Sequence, residues 1–175
     1  IWLSASCGAI KMAEELDNLG VHKQVVNRLL EPFLWHTAIV SSTEWDNFFQ
    51  QRCSPLAQPE IRLVAESMRQ ALEFNEPEAI NFESWHLPLI DASDYKDLDL
   101  SALKRVSVAR CARVSYLTHE GKRDPKADLD LYNRLVSASP PHWSPLEHVA
   151  TPSEEFSEKL GNFDGWHQLR HIIGS

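Results

Sequence analysis

Apolar residues return at helical spacing over several stretches of this chain, and the polar residues between them set where each helix starts and stops. Ala9, Met12, Ala13 and Leu16 share a stripe over Ala9 to Leu19, with Asn18-Leu19-Gly20 as a stop. A second helix is expected over Val21 to Leu30, carrying Val21, Val25, Val26, Leu29 and Leu30 and closed by Pro32. Phe33 to Phe49 is dense in aromatics and reads as a turn followed by a buried helix beginning near the Ser41-Ser42-Thr43 capping cluster. Ala57 to Phe74 is a clear amphipathic helix, with Ile61, Val64, Ala65, Met68 and Leu72 apolar, Glu60, Arg62, Glu66, Arg69 and Glu73 facing water, and Pro59 in the first turn.

The second half is less regular. Asn75 to Leu100, with Pro77, Pro88 and four Asp residues, reads as a long irregular connection or a seam between two halves. Leu103 to Tyr116 fits either a strand or a buried helix, because Val106, Val108 and Val114 alternate while Ala109, Ala112 and Cys111 suit close helix packing. Asp124-Pro125 supplies an N-cap and first-turn Pro for a helix through Val136, ended by Pro140-Pro141. The tail from Pro152 onward carries a helical pattern around Trp166 to Ile173. These elements give an α+β expectation: one helix-rich domain over residues 1 to 175, packed on a small antiparallel sheet.

Composition narrows the function classes. At 175 residues and 43% hydrophobic the chain can bury one sizeable core. No run of about 18 apolar residues occurs, so no membrane partner is expected. A net charge of -8 argues against a DNA or RNA binder, which needs Lys and Arg in excess along one face. A small anion stays open, because a guanidinium fork grips phosphate at contact distance. Cys7, Cys53 and Cys111 form no CxxC pair and no even set, so neither a disulfide framework nor a zinc ribbon is suggested, and a reducing cytoplasm is the expected location. The first ten residues do not read as a signal peptide, and the chain does not begin with Met, which suggests an upstream stretch.

Three blocks set polar residues among apolar and aromatic ones: Asn47-Phe48-Phe49-Gln50-Gln51-Arg52 running on to Ala57-Gln58-Pro59-Glu60-Ile61, then Cys111-Ala112-Arg113-Val114-Ser115-Tyr116, then His142-Trp143-Ser144-Pro145-Leu146-Glu147-His148. Together they resemble the flavin-dependent (ThyX-type) thymidylate synthases, which carry an N-F-x-x-x-R segment followed by AQ-x-EI, an ARVS-aromatic segment and an H-x-S/T-P-x-E-H segment. Arg28 before Leu29-Leu30-Glu31-Pro32 matches the family's Arg-rich helix end closed by Pro. The block order is unusual: here the ARVS and H-x-S/T-P-x-E-H blocks follow the N-F-x-x-x-R block, as in a circular permutation, which chain ends that lie close together tolerate. The family's R-H-R-x7-S signature has no match; the nearest string is His167-Gln168-Leu169-Arg170-His171. In the permuted order the signature would lie upstream of Ile1, so a fragment of a longer chain is expected.

The resemblance implies reductive methylation of deoxyuridine monophosphate (dUMP) with FAD as cofactor, and with NADPH and methylenetetrahydrofolate as co-substrates. It implies a homotetramer with sites between subunits, small-molecule partners and no protein nucleophile. Arg28, Arg52 and Arg113 match nucleotide-holding positions, and Arg52 the catalytic one, where a permanent positive charge stabilises negative charge on the pyrimidine as its carbon 5 becomes nucleophilic. Asn47, His142, Ser144, Ser115 and Glu147 match flavin-side positions, where amides, hydroxyls and imidazoles pair with the ring edge. The bland readings are solvated Arg on helix faces, an Asn cap, and His148 and Glu147 orienting their neighbours. Ser41, Ser42 and Thr43 stand where the family often has an Asn-x-Arg flavin contact. Two rivals remain. One is a metal-dependent hydrolase using His142, Glu147 and His148 with His119 or Asp124, against which the spacing argues because four residues separate His142 from Glu147. The other is a non-catalytic domain of the same fold.

Overall fold

The structure, a computed structural model, describes residues 1–114, 123–154 and 159–173. The chain divides into two compact units, Ile1–Ala38 and Ile39–Ser175, so the division falls after Ala38 and not in the 75–100 connection.

In the first unit, α1 runs Trp2–Asn18 and α2 Lys23–Asn27, followed by a 3-10 turn at Glu31–Phe33. Gly20, at φ 76°, closes α1: its N–H donates to the Asp17 carbonyl, and the Val21 N–H reaches back to Leu16. The second helix is shorter than its apolar stripe because the chain tightens into i→i+3 turns before Pro32. Trp2 packs on Phe33 at 4.9 Å between ring centres, while only Ala13 and Val26 are fully buried here.

The second unit begins with α3 (Asp46–Arg52) and α4 (Pro59–Glu73). The helix expected from Ser41 starts five residues late, because the hydroxyls of Ser41, Ser42 and Thr43 bond to groups far along the chain instead of capping α3. Helix α4 agrees with its sequence pattern and carries an Arg62–Glu66 pair at 2.7 Å on its surface. The 75–100 connection is irregular apart from α5 (Asp94–Asp97) and one antiparallel bridge between His86 and Ala150. Helix α6 (Leu100–Ala112) resolves the strand-or-helix alternative in favour of the helix; Asp99 caps it, and Leu103, Val106, Ser107, Val108, Ala109, Arg110 and Cys111 are all buried. Helix α7 (Pro125–Ser137) starts where Asp124 accepts the Lys126 N–H at 3.0 Å.

Strand β1 (Ala150–Pro152) pairs antiparallel with β4 (Trp166–Gln168), and β2 (Lys159–Leu160) with β3 (Phe163–Asp164). The tail therefore enters strand β4 before its helix α8 (Leu169–Ile173), since Ala150 to Pro152 offers a partner backbone to residues 166–168. The fold is helix-rich α+β with small antiparallel pairings. Val108, Ala109, Tyr132, Leu146, Val149 and Leu169 form its core, joined by Trp85, Leu87 and Trp143. Among the described residues no helix is long and apolar enough to cross a membrane.

A buried charge cluster holds α5, α6 and α7 together. Arg110 is 3% exposed and grips Asp94 bidentately at 2.6 and 2.8 Å, Asp128 through Nε at 3.0 Å and the Leu89 carbonyl at 2.8 Å. Arg113 adds a second pair to Asp128 at 2.5 Å. The carboxylate of Asp94 raises the Arg110 pKa further, against the desolvation that would lower it. Leu89 sits at φ 63°, a strained position for a branched residue, and its carbonyl is one that Arg110 binds.

Asp128→Asn removes one of the two carboxylates on Arg110 and the carboxylate paired with Arg113, so urea unfolding should show a loss of about 3 kcal/mol, against less than about 0.5 kcal/mol for exposed Asp130→Asn. Equal losses for the two variants would refute the cluster's role. All three cysteines are free; burial pushes the Cys111 thiol up to about 12, with a Ser107 hydrogen bond opposing, while Cys7 is exposed. A thiol-specific chromogenic reagent should therefore label Cys7 in the native protein and reach Cys111 only after denaturation.

Candidate functional site

Ser41, Ser42 and Thr43 fold back onto the hairpin of β2 and β3, about 120 residues away along the chain. The Thr43 N–H and Ser42 Oγ both donate to the Asn162 carbonyl at 3.1 Å, and Thr43 Oγ1 accepts the Asp164 N–H at 2.8 Å. The Asn162 side chain donates in turn to the Ser41 carbonyl. Trp45 is anchored by its indole N–H on the Ser42 carbonyl at 3.1 Å and packs on Phe48 and Phe49.

The Ser144–His148 segment forms a 3-10 turn with Pro145 in its second position, which fixes the direction in which Glu147 and His148 leave the backbone. His148 is buried; its Nδ1 lies 3.0 Å from Ser41 Oγ and its Nε2 3.8 Å from Glu147 Oε1. Which of the Ser41 hydroxyl and the His148 Nδ1 donates is set by the imidazole tautomer. Arg170 on α8 donates to Glu147 Oε2 at 3.0 Å and to Gln168 Oε1 at 2.7 Å. Gln168 Nε2 donates to Asn162 Oδ1 at 3.2 Å, which closes a ring of polar contacts back to Ser41. Gly161, at φ 67°, leaves room for Arg170: a Cβ there would sit 3.2 Å from Nη2.

Beside this ring lies a cavity of about 280 Å³ lined by Val40, Ser41, Ser42, Thr43, Trp45, His86, Phe163 and Trp166. Its aromatic walls and hydroxyl edge suit a planar ring with a neutral polar rim, and its size suits one ring system, not a dinucleotide. Burial lowers the pKa of both His86 and His148; for His148, Glu147 works in the opposite sense while Arg170 and His86 add to the lowering.

None of the residues singled out as site candidates in the motif blocks lines that cavity. Asn47 and Arg52 stand exposed on α3, and Arg28 stands exposed at the end of α2 in the first unit. Neither Arg28 nor Arg52 makes an ion pair among the described residues. His142 is exposed with its backbone N–H on the Leu135 carbonyl, and Ser144 is exposed one turn before Glu147. Arg113 is held by Asp128, while its buried Nε has no hydrogen-bond partner among the described residues. Ser115 and His119 lie outside the described residues. The structure thus brings Glu147 and His148 together with Ser41 and adds Asn162, Gln168 and Arg170, which sequence patterns did not single out as site residues. Only the placement of Gln168 and Arg170 in the string nearest the missing signature pointed toward them. Among the described residues no group of three or more His, Cys, Asp or Glu is placed to hold a metal ion.

Because the folded chain takes up protons on His86 and His148 less readily than the unfolded chain, their contribution is complete above the ordinary imidazole value of 6.5. It is lost as pH falls from there toward the lowered folded-state values. The denaturation midpoint should drop between about pH 7 and about pH 5, and His148→Asn should flatten part of that slope. An unchanged slope in the variant would remove His148 from the account. Comparison of the chain with family models, with curated proteins and with solved structures gives no match.

Proposed function

We propose that this chain is a flavin-dependent thymidylate synthase of permuted block order, acting on deoxyuridine monophosphate. The observation that carries the reading is the junction of its motif blocks. The segment leading into Asn47–Arg52 is hydrogen-bonded to the Glu147–His148 turn through Ser41 and His148, 107 residues apart, beside an aromatic cavity. A permuted family member requires such a junction, since its blocks are far apart in sequence and adjacent in function.

The residues fit the ring portion of the cofactor. Trp45, Phe163 and Trp166 offer faces for stacking, and the hydroxyls of residues 41–43 offer donors and acceptors for a ring edge. When bound here and reduced by NADPH, FAD would supply the hydride for transfer of the folate's carbon. The chain's own contribution is positioning and charge. Arg52 and Arg28, exposed and without a carboxylate partner among the described residues, present their charge for the pyrimidine and for phosphate respectively. The unpartnered Nε of Arg113 is a donor that an anion would satisfy. Asn47, His142 and Ser144, all exposed, present the polar groups for the flavin side, and Glu147 holds its place through Arg170.

Self-association belongs to the same proposal. Ile61, Leu63, Val64 and Leu72 of α4 remain exposed although the helix is strongly patterned, as do Trp2, Leu3 and Ile10 of α1, and apolar faces of this kind are covered by copies in oligomers.

FAD added to the purified protein should develop a flavin-bound visible spectrum, and tritium on the pyrimidine ring of the nucleotide should be released in the presence of reductant and folate. Arg52→Ala should keep the fold, being exposed, and slow that release by about 100- to 1000-fold. Wild-type protein that neither binds FAD nor releases tritium, even as the oligomer, sinks the proposal.

A further inference from the structure

The ring of polar contacts around the cavity has one member with no exposed surface at all. Gln168 is 0% exposed, yet both ends of its amide are used: Oε1 accepts from Arg170 at 2.7 Å and Nε2 donates to Asn162 Oδ1 at 3.2 Å. Asn162 fixes Ser41 through its amide and Ser42 and Thr43 through its carbonyl. Arg170 fixes Glu147, whose other oxygen faces His148, and His148 returns to Ser41. A buried amide left without its partners is destabilising, so the two halves of the ring cannot rearrange independently of Gln168.

We propose that Gln168 is the positioning residue of the cavity, setting the affinity for a planar heteroaromatic ring that it cannot itself touch. The inference rests on reading the cavity as a ring-binding site, and it names what holds that site's hydroxyl edge in register. Three segments meet there, residues 40–45, 144–148 and 162–170, and β4 contributes Gln168 from a backbone already locked to β1 by the Gln168–Ala150 pairing. The side chain therefore starts from a fixed point, which is the condition for one residue to dictate the geometry of two others.

Two variants of the full chain test this, with FAD as the probe. Gln168→Glu keeps the volume and the acceptor for Arg170 but sets an oxygen against Asn162 Oδ1; Asn162→Ala, at an exposed position, removes the next link and leaves the core intact. Two readouts are taken: amide hydrogen exchange at Thr43 and Asp164, whose N–H groups close the loop onto the hairpin, and FAD affinity. Both variants should exchange at these two amides about tenfold faster with α4 unchanged, and should bind FAD about tenfold more weakly. The double variant should be no worse than Asn162→Ala alone, because the two residues act through one chain of contacts. Wild-type exchange rates in both variants overturn the proposal, as do additive effects or an FAD affinity equal to that of a wild type that binds. A wild type that binds no FAD refutes the thymidylate synthase reading instead, and accelerated exchange in the variants would then still support the positioning role.

Discussion

Arg110 is the interaction on which the second unit depends. Four of its contacts reach three separate pieces of chain: Asp94 on α5, Asp128 on α7 and the strained Leu89 carbonyl in the connection. An uncompensated guanidinium in that position would cost several kcal/mol, so the connection has to pass where its carbonyl and Asp94 can meet Arg110. That path delivers Trp85 and Leu87 to the core and His86 to its bridge with Ala150. Lys104, one turn and a half earlier on α6, covers the Trp85 ring at 3.5 Å and seals the same segment. The irregular stretch that looks loose in sequence is thus tied at Leu89 and Asp94 by one buried charge.

The candidate site is built on the far side of that frame. Ala150 pairs with His86 on one edge and with Gln168 on the other, so a single residue of β1 sets both the cavity wall and the polar ring. The ring then recruits the 40–45 loop with hydroxyls and one amide. This explains why Ser41, Ser42 and Thr43 look like a helix cap and serve as something else: a hydroxyl satisfies whichever backbone donor or acceptor reaches it first, and here the hairpin turn at Asn162 does.

Much of the helical framework was legible. The stripe of α4 and the Asp124-Pro125 start of α7 are local features, and local physics decides them. Helix α6 was ambiguous for a physical reason: buried on nearly every side, it lacks the polar face that distinguishes a helix period from a strand. The ladders of β1 with β4 and β2 with β3 are two or three residues long, too short to alternate. At the site, the Glu147–His148 turn was visible because Pro145 and its neighbours form a compact motif. Asn162, Gln168 and Arg170 acquire their importance only from where the hairpin places them, and the ion pair of Arg113 with Asp128 joins residues on different helices. The boundary after Ala38 carried no Gly or Pro cluster to announce it.

The contact between Thr43 and Asp164 spans 121 residues. Closures over such distances form late, since the intervening chain loses its freedom before the bond rewards it. During synthesis the early helices and the Arg110 cluster can settle while the ribosome still holds the hairpin. The cavity walls supplied by Phe163 and Trp166 exist only once the hairpin has emerged, so ligand capture there has to follow synthesis of the helices that precede it.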